Sequence, residues 1–281
     1  MIRSDAKSWP PHRYLRKFHR RLLEMRQLLV RDIEVTDRAH AYRFRCETVR
    51  EFNRCLKLFS KEPGTLAWIT TEVKPGQVFY DIGANIGVYT ILAARNAAPN
   101  GKVYAFEPHA ANFARLIDNV IRNALQDVVV PCSIALDSEE GFSHFTYDSA
   151  KAGTSHSQYS ADFAADKDSR DGEIAELKYA TTIDQLLAAG RIAAAHHVKI
   201  DVDGNEHLIL RGMAKLLASS AAPLTLQVEL NEPHAAESTA LLQAHGYALA
   251  EKHYTRSAAR RMQQTGEEQK EGCNAIFRRA G

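Results

Sequence analysis

The chain has 281 residues, of which 45% are hydrophobic and 25% charged, and its formal net charge is +2. That balance suits one soluble α/β enzyme domain with an N-terminal extension, and by itself argues neither for nor against nucleic acid. No apolar run reaches the roughly 18 residues of a membrane span, no signal-peptide core opens the chain, and Cys46, Cys55, Cys132 and Cys273 are too scattered for a metal knuckle or disulfide framework, so a cytoplasmic enzyme is expected.

Residues 1–31 carry nine Lys or Arg against two acids. Among them Tyr14, Leu15, Phe18, Leu22, Met25, Leu28 and Leu29 recur at helical spacing. Two readings stay open. The helix packs on the catalytic domain or a second subunit with its basic face in water, or it lies on anionic lipid and gives peripheral contact at the inner membrane surface. Nucleic acid is not expected as a partner, because no stripe of base-stacking aromatics accompanies the charge. Alternation at 41–45 and a helical run near 52–56 follow, so residues 1–71 read as a basic helical extension and cap. A short helix after Glu62-Pro63-Gly64 leads to the turn Lys74-Pro75-Gly76, which launches the first core strand.

That strand, Gln77 to Tyr80, runs into Asp81-Ile82-Gly83-Ala84-Asn85-Ile86-Gly87 and then a helix opening at Val88. Gly83 can take a positive φ and lets backbone approach a ligand. A second strand, Val103 to Phe106, ends in Glu107, twenty residues beyond Gly87. A carboxylate there can accept from both ribose hydroxyls of a nucleoside. A dinucleotide site would show Gly-x-Gly-x-x-Gly against a pyrophosphate; here the glycines are four apart, and Asp81 repels such an anion. The pair suits the cationic end of S-adenosylmethionine. A dinucleotide oxidoreductase is the weaker reading.

Helical spacing covers Asn112 to Asn123, and a third strand is expected from Val128 to about Ala135. After an alternating run at 142–147, residues 148–175 have no apolar period and read as a mobile loop over the site. Thr182 to Leu187 is helical. The fourth strand, Val198 to Ile200, ends in Asp201, the fifth ends in Glu229, and 246–249 with 274–278 form a closing antiparallel pair. Strands alternating with helices imply a mostly parallel, Rossmann-like seven-stranded sheet covered on both faces. Right-handed crossovers would gather Asp81, Glu107, Ala135, Asp201 and Glu229 on one rim.

DIGANIGVYT (81–90), FEP (106–108), TTIDQLL (181–187), KIDVDGNE (199–206), LILRG (208–212) and VELN (228–231) occur in the order typical of FkbM-type S-adenosylmethionine-dependent methyltransferases, which residues 72–279 resemble. The family usually has Glu where this chain has Asp203. The resemblance implies the class I methyltransferase fold, S-adenosylmethionine as cofactor with S-adenosylhomocysteine as product, and O-methylation of a sugar, glycan precursor or secondary metabolite. It bounds the catalytic domain at 72–281.

Glu107 is expected to hold the ribose, Ser133 to Leu136 with Ala135 at their centre to flank adenine, and Asp81, Gly83, Ala84, Asn85 and Gly87 to seat the rest. Asp201 belongs beside the methyl group, as acceptor orienter or base; His156, in the loop, is the other candidate base. Lys199 shares the face of Asp201 but lies deeper, and reads as structural. Catechol-type methyltransferases hold Mg²⁺ through an Asp after the fourth strand and an Asp-Asn pair after the fifth. Here Leu230 separates Glu229 from Asn231, so no metal is predicted. N-methylation and a non-catalytic cofactor-binding protein remain as alternatives. The acceptor and the oligomeric state are not set by the sequence.

Overall fold

A computed structural model describes residues 10–30, 32–37, 39–147, 149–155, 158–160, 174–219, 224–266 and 272–280. The N-terminal part comprises α1 (Pro10–Leu29), the hairpin of β1 (Asp32–Thr36) and β2 (Ala41–Arg45), α2 (Val49–Leu56) and α3 (Pro63–Glu72). The extension expected to be helical therefore contains an antiparallel strand pair. Alternation at 41–45 buries Tyr42 and Phe44 on one side, which makes it a strand.

The core begins with β3 (Val78–Ile82), α4 (Val88–Ala97), β4 (Lys102–Phe106), α5 (Ala110–Arg122) and β5 (Val129–Cys132). Next come β6 (Ala135–Leu136), β7 (Gly141–Tyr147), β8 (Gln158–Ser160) and β9 (Ile174–Thr181), then α6 (Ile183–Ala188) and β10 (His197–Ile200). The chain finishes with α7 (Glu206–Arg211), α8 (Ala214–Ala218), β11 (Thr225–Leu230), α9 (Ala235–Ala244), β12 (Tyr247–His253), α10 (Arg256–Thr265) and β13 (Cys273–Arg279).

Seven strands form the central sheet in the order β12-β13-β11-β10-β3-β4-β5. From β11 to β5 every pairing is parallel, and β13 runs antiparallel to both β11 and β12. Successive residues point to opposite faces, so Tyr80, Tyr104, Phe106 and Phe277 enter one buried cluster while Phe79, Val103, Ala105 and Ile276 enter the other. Helices cover both faces, which is why the strands read as nearly continuous apolar runs. This is the Rossmann-like class I methyltransferase architecture.

The third strand is shorter than expected. It ends at Cys132, and Ala135 belongs to a separate four-stranded sheet ordered β6-β9-β7-β8. Pro131 lies in β5, the outermost strand, where a missing N–H is tolerated. Of the loop expected at 148–175, the described parts are a strap at 149–155, β8, and the start of β9. His156 lies outside the described residues. The helix α10 between the closing strands was not anticipated either.

The cap is pinned to α5 by charge. Arg115 Nε donates to Glu51 Oε1 at 2.7 Å, and Glu51 is fully buried; its other oxygen accepts from the Glu47 and Thr48 backbone N–H groups at the start of α2. Thr48 and Glu51 form a reciprocal capping box that fixes where α2 begins. Asn123 and Asn119 bond the β2 backbone at Arg43 and Arg45, so α2 and β2 are held over the rim of the sheet.

Candidate active site

The turn after β3 is built by backbone geometry. Gly83 has φ +81°, Asn85 +52° and Gly87 +85°. Gly83 and Ala84 N–H both donate to Phe106 O at 3.0 Å, which folds the turn onto the end of β4. A Cβ on Gly83 would stand 1.9 Å from the Asp201 carbonyl oxygen. Glycine is therefore required by the chain crossing beneath it, whatever ligand lies above. Gly87 caps α4, and a Cβ there would meet Leu116 Cδ1 at 2.5 Å.

Glu107 follows β4 and is 5% exposed. Asn85 N–H donates to its Oε2 at 2.7 Å and His109 N–H to its Oε1 at 2.9 Å. Burial raises its pKa to about 7 against these bonds. The carboxylate faces an open cleft of about 940 Å³, its solvent-filled mouth included. Ile134, Ala135, Leu136 and Phe145 make one end an apolar slot, which the second sheet supplies. The strap closes a side: Asn85 Nδ2 and Asn112 Nδ2 donate to Thr154 O at 2.7 and 3.2 Å, and Arg54 donates to Ser155 Oγ at 2.7 Å.

Four ionisable groups cross the sheet beside this cleft. Lys199 pairs in register with Asp81 on the adjacent strand, and Asp201 lies two residues on, on the same face. Its ammonium is 2.8 Å from Asp201 Oδ2 and 3.8 Å from Asp81 Oδ1. Although burial acts in the opposite direction, Lys199 holds the Asp201 carboxyl well below the usual carboxylate range. The charge of Asp201, with burial, pushes Glu229 well above its ordinary value, so Glu229 is the protonated partner in their hydrogen bond. Burial raises Asp81, opposed by Lys199 and by the Thr90 hydroxyl, which donates to Asp81 Oδ2 at 2.5 Å.

The predicted residues separate by position. Gly83, Asn85, Glu107, Ala135 and Asp201 line the cleft together with Glu229. Ala84 lines an adjoining hollow with Lys199, Asp201, Tyr89, Arg54 and Lys57. Asp81 is 1% exposed and lines neither, and Gly87 works behind the turn. Sequence reasoning missed Arg54, Lys61, Asn112 and Thr154. Arg54 and Lys61 come from outside the core sheet, and a buried asparagine in a helix carries no pattern that reveals it. Asn231, the residue beyond Leu230 in the Mg²⁺ alternative, has its Oδ1 against Gly272.

A buried carboxylate with spare acceptor capacity, a crossing glycine turn and an apolar slot lie on one rim of this sheet, and that donor set fits a molecule of the S-adenosylmethionine type. The chain belongs to the FkbM methyltransferase family: the family model described as Methyltransferase FkbM domain matches residues 81–249. It is therefore a methyltransferase, with S-adenosylmethionine as methyl donor. The hexuronic acid methyltransferase AglP of Haloferax volcanii is 29% identical over 180 residues, covering 64% of this chain and 67% of that one. The 31-O-demethyl-FK506 methyltransferase FkbM of Streptomyces tacrolimicus is 28% identical over 200 residues, covering 63% and 75%. Among solved structures, FkbM from Methylobacillus flagellatus KT superposes with a TM-score of 0.45 at 12% identity, over 72% of this chain and 43% of that one. Aeropyrum pernix fibrillarin gives 0.46 at 10% identity, over 88% and 82%.

Proposed function

We propose that the protein methylates an oxygen of a sugar, glycan precursor or secondary metabolite, releasing S-adenosylhomocysteine. The observation that carries this reading is Asp201, an ionised carboxylate held by Lys199 at the cleft beside the Gly83–Asn85 turn. Both relatives bear names of oxygen-bearing acceptors, which supports the acceptor class. The bound donor supplies an electrophilic methyl on a sulfonium; the chain must position the acceptor and manage one proton.

Asp201 suits the first task better than the second. A carboxylate stabilised by an ammonium is a weak base, so it accepts a hydrogen bond from the acceptor hydroxyl and fixes its approach, and the proton leaves late. Protonated Glu229 keeps a second negative charge away from the carboxylate. Arg54, Lys57 and Lys61 make the outer wall basic, which favours an acceptor that carries an anionic group.

The remaining expectations are proposals of the same kind. The enzyme works in the cytoplasm and meets its acceptor at an anionic membrane surface through α1. Tyr14, Leu15, Phe18, Leu22 and Met25 are exposed on one arc of α1, with Arg21 and Arg26 flanking it, and this arrangement supports the reading.

Methyl transfer from labelled S-adenosylmethionine, assayed over uronic acids, neutral sugars, polyols and amines, tests the reading. Labelling of an oxygen acceptor is expected, and Asp201→Asn should lower turnover ~100-fold, the scale of a lost positioning contact, with S-adenosylhomocysteine affinity within about threefold of wild type. Labelling confined to amines would overturn the oxygen assignment.

A further inference from the structure

Outside the cleft, one cluster has the chemistry of a ligand set. His207 opens α7, His234 precedes α9 and Glu237 lies in the first turn of α9. One donor atom from each falls within 4.8 Å of the other two. The imidazoles of His207 and His234 stack at 3.9 Å with their planes 17° apart. Like His207, neither of the other two residues lines the methyltransfer cleft.

Two observations distinguish this group from a packing contact. His207 is 7% exposed, and its Nδ1 is buried with no hydrogen-bond partner. An orphaned ring nitrogen in that position is costly unless something takes its lone pair or its proton. The second observation concerns Glu237. Arg211 engages its Oε1, which orients the carboxylate and leaves Oε2 turned to His234 Nδ1 at 3.7 Å.

We propose that His207, His234 and Glu237 bind one divalent transition-metal ion of the zinc type, which clamps α7 to α9. Two imidazoles and a carboxylate match the borderline donors that zinc prefers, whereas Mg²⁺ and Ca²⁺ take all-oxygen sets. Bonds of ~2.0–2.1 Å put donors ~3.3 Å apart in a tetrahedral site. Closing to that spacing requires rotation of the His234 and Glu237 side chains, which are 41% and 35% exposed, with water in the fourth position. α7 follows the loop that carries Asp201, α9 follows the strand that carries Glu229, and the two helices pack on each other. The ion therefore holds the two carboxyl-bearing segments at a fixed separation while staying outside the chemistry.

The test uses the full, untagged chain stripped by a chelator, titrated with Zn²⁺ by calorimetry and with Co²⁺ by visible absorption. One equivalent of each is expected, the Co²⁺ form with d–d bands of a four-coordinate nitrogen-containing site, and with no competition from Mg²⁺. His234→Ala and Glu237→Gln, both at part-exposed positions that spare the fold, should each weaken Zn²⁺ at least tenfold. His207→Ala should do the same, with circular dichroism to check folding. His245→Ala, at the C-cap of α9, should bind as wild type. Absence of stoichiometric binding, or wild-type affinity in the His234→Ala and Glu237→Gln variants, would overturn the proposal.

Discussion

Glu107 illustrates how one side chain sets a pH dependence. Its two oxygens already accept backbone N–H groups from Asn85 and His109, and a carboxylate has about four acceptor positions, so capacity remains for ribose hydroxyls. Burial lifts its pKa from 4.5 to about 7. A raised carboxyl favours folding while protonated. That contribution is fully present below 4.5 and disappears as pH climbs to about 7. With ionised Glu107 as the proposed ribose acceptor, cofactor binding has the opposite sign. S-adenosylhomocysteine should bind about tenfold more weakly at pH 6 than well above the pKa, and Glu107→Gln should flatten that dependence in calorimetric titrations from pH 5.5 to 8.5. A pH-independent wild type would remove Glu107 from the ribose.

Glu107 and Asp201 were legible in the sequence because each follows an apolar run that ends a parallel strand, and such ends share a rim. The reason for Gly83 was only half legible. Its turn was readable, but the Asp201 carbonyl that excludes a side chain comes from 118 residues further along the chain. Lys199 was correctly read as deep. Its bridge between two carboxylates depended on the in-register pairing of strands, which no local pattern encodes.

At the scale of elements, the strap at 149–155 matters most. Asn112 on α5 donates to Thr154 O and accepts Gly153 N–H at 2.8 Å, and it is 2% exposed. Asn112→Ala would leave the Gly153 N–H without its partner and Thr154 O with Asn85 Nδ2 alone, at ~1–3 kcal/mol for a buried unpaired group. A lower melting temperature and roughly tenfold weaker S-adenosylhomocysteine binding are expected; thermal unfolding and calorimetry on the same preparation check both. The strap and the four-stranded sheet escaped sequence reading for a common reason. The pairings of β6 with β9 and of β7 with β9 join segments dozens of residues apart through strands as short as two residues, too short to show a period. The α2 capping box differs, since Thr48 and Glu51 stand only three apart, yet the sequence reading places the helical run near 52–56 and misses this local start signal.

For the whole molecule, the two buried clusters sit on either face of one sheet, and among the described residues α1 contributes to neither. Deleting residues 1–30 should therefore leave S-adenosylhomocysteine affinity within twofold. Sedimentation with vesicles of anionic lipid should fall to the level seen with neutral lipid, and the remaining binding should weaken with salt. Equal sedimentation before and after deletion would remove α1 from the membrane. The α/β class and the parallel order were legible because helices and strands alternate from residue 77 to residue 249, whereas the arrangement of the cap was not, because its contacts with α5 are made by charged and asparagine side chains.

The place of β13 also bears on how the chain is made. It lies between β11 and β12, although both precede it in sequence. A nascent chain that has emerged only through β12 cannot close its sheet, and β11 then presents a row of unpaired backbone groups to its neighbours. Synthesis through Arg279 completes that edge, so a nascent chain remains open to chaperones, and to aggregation, until β13 is delivered.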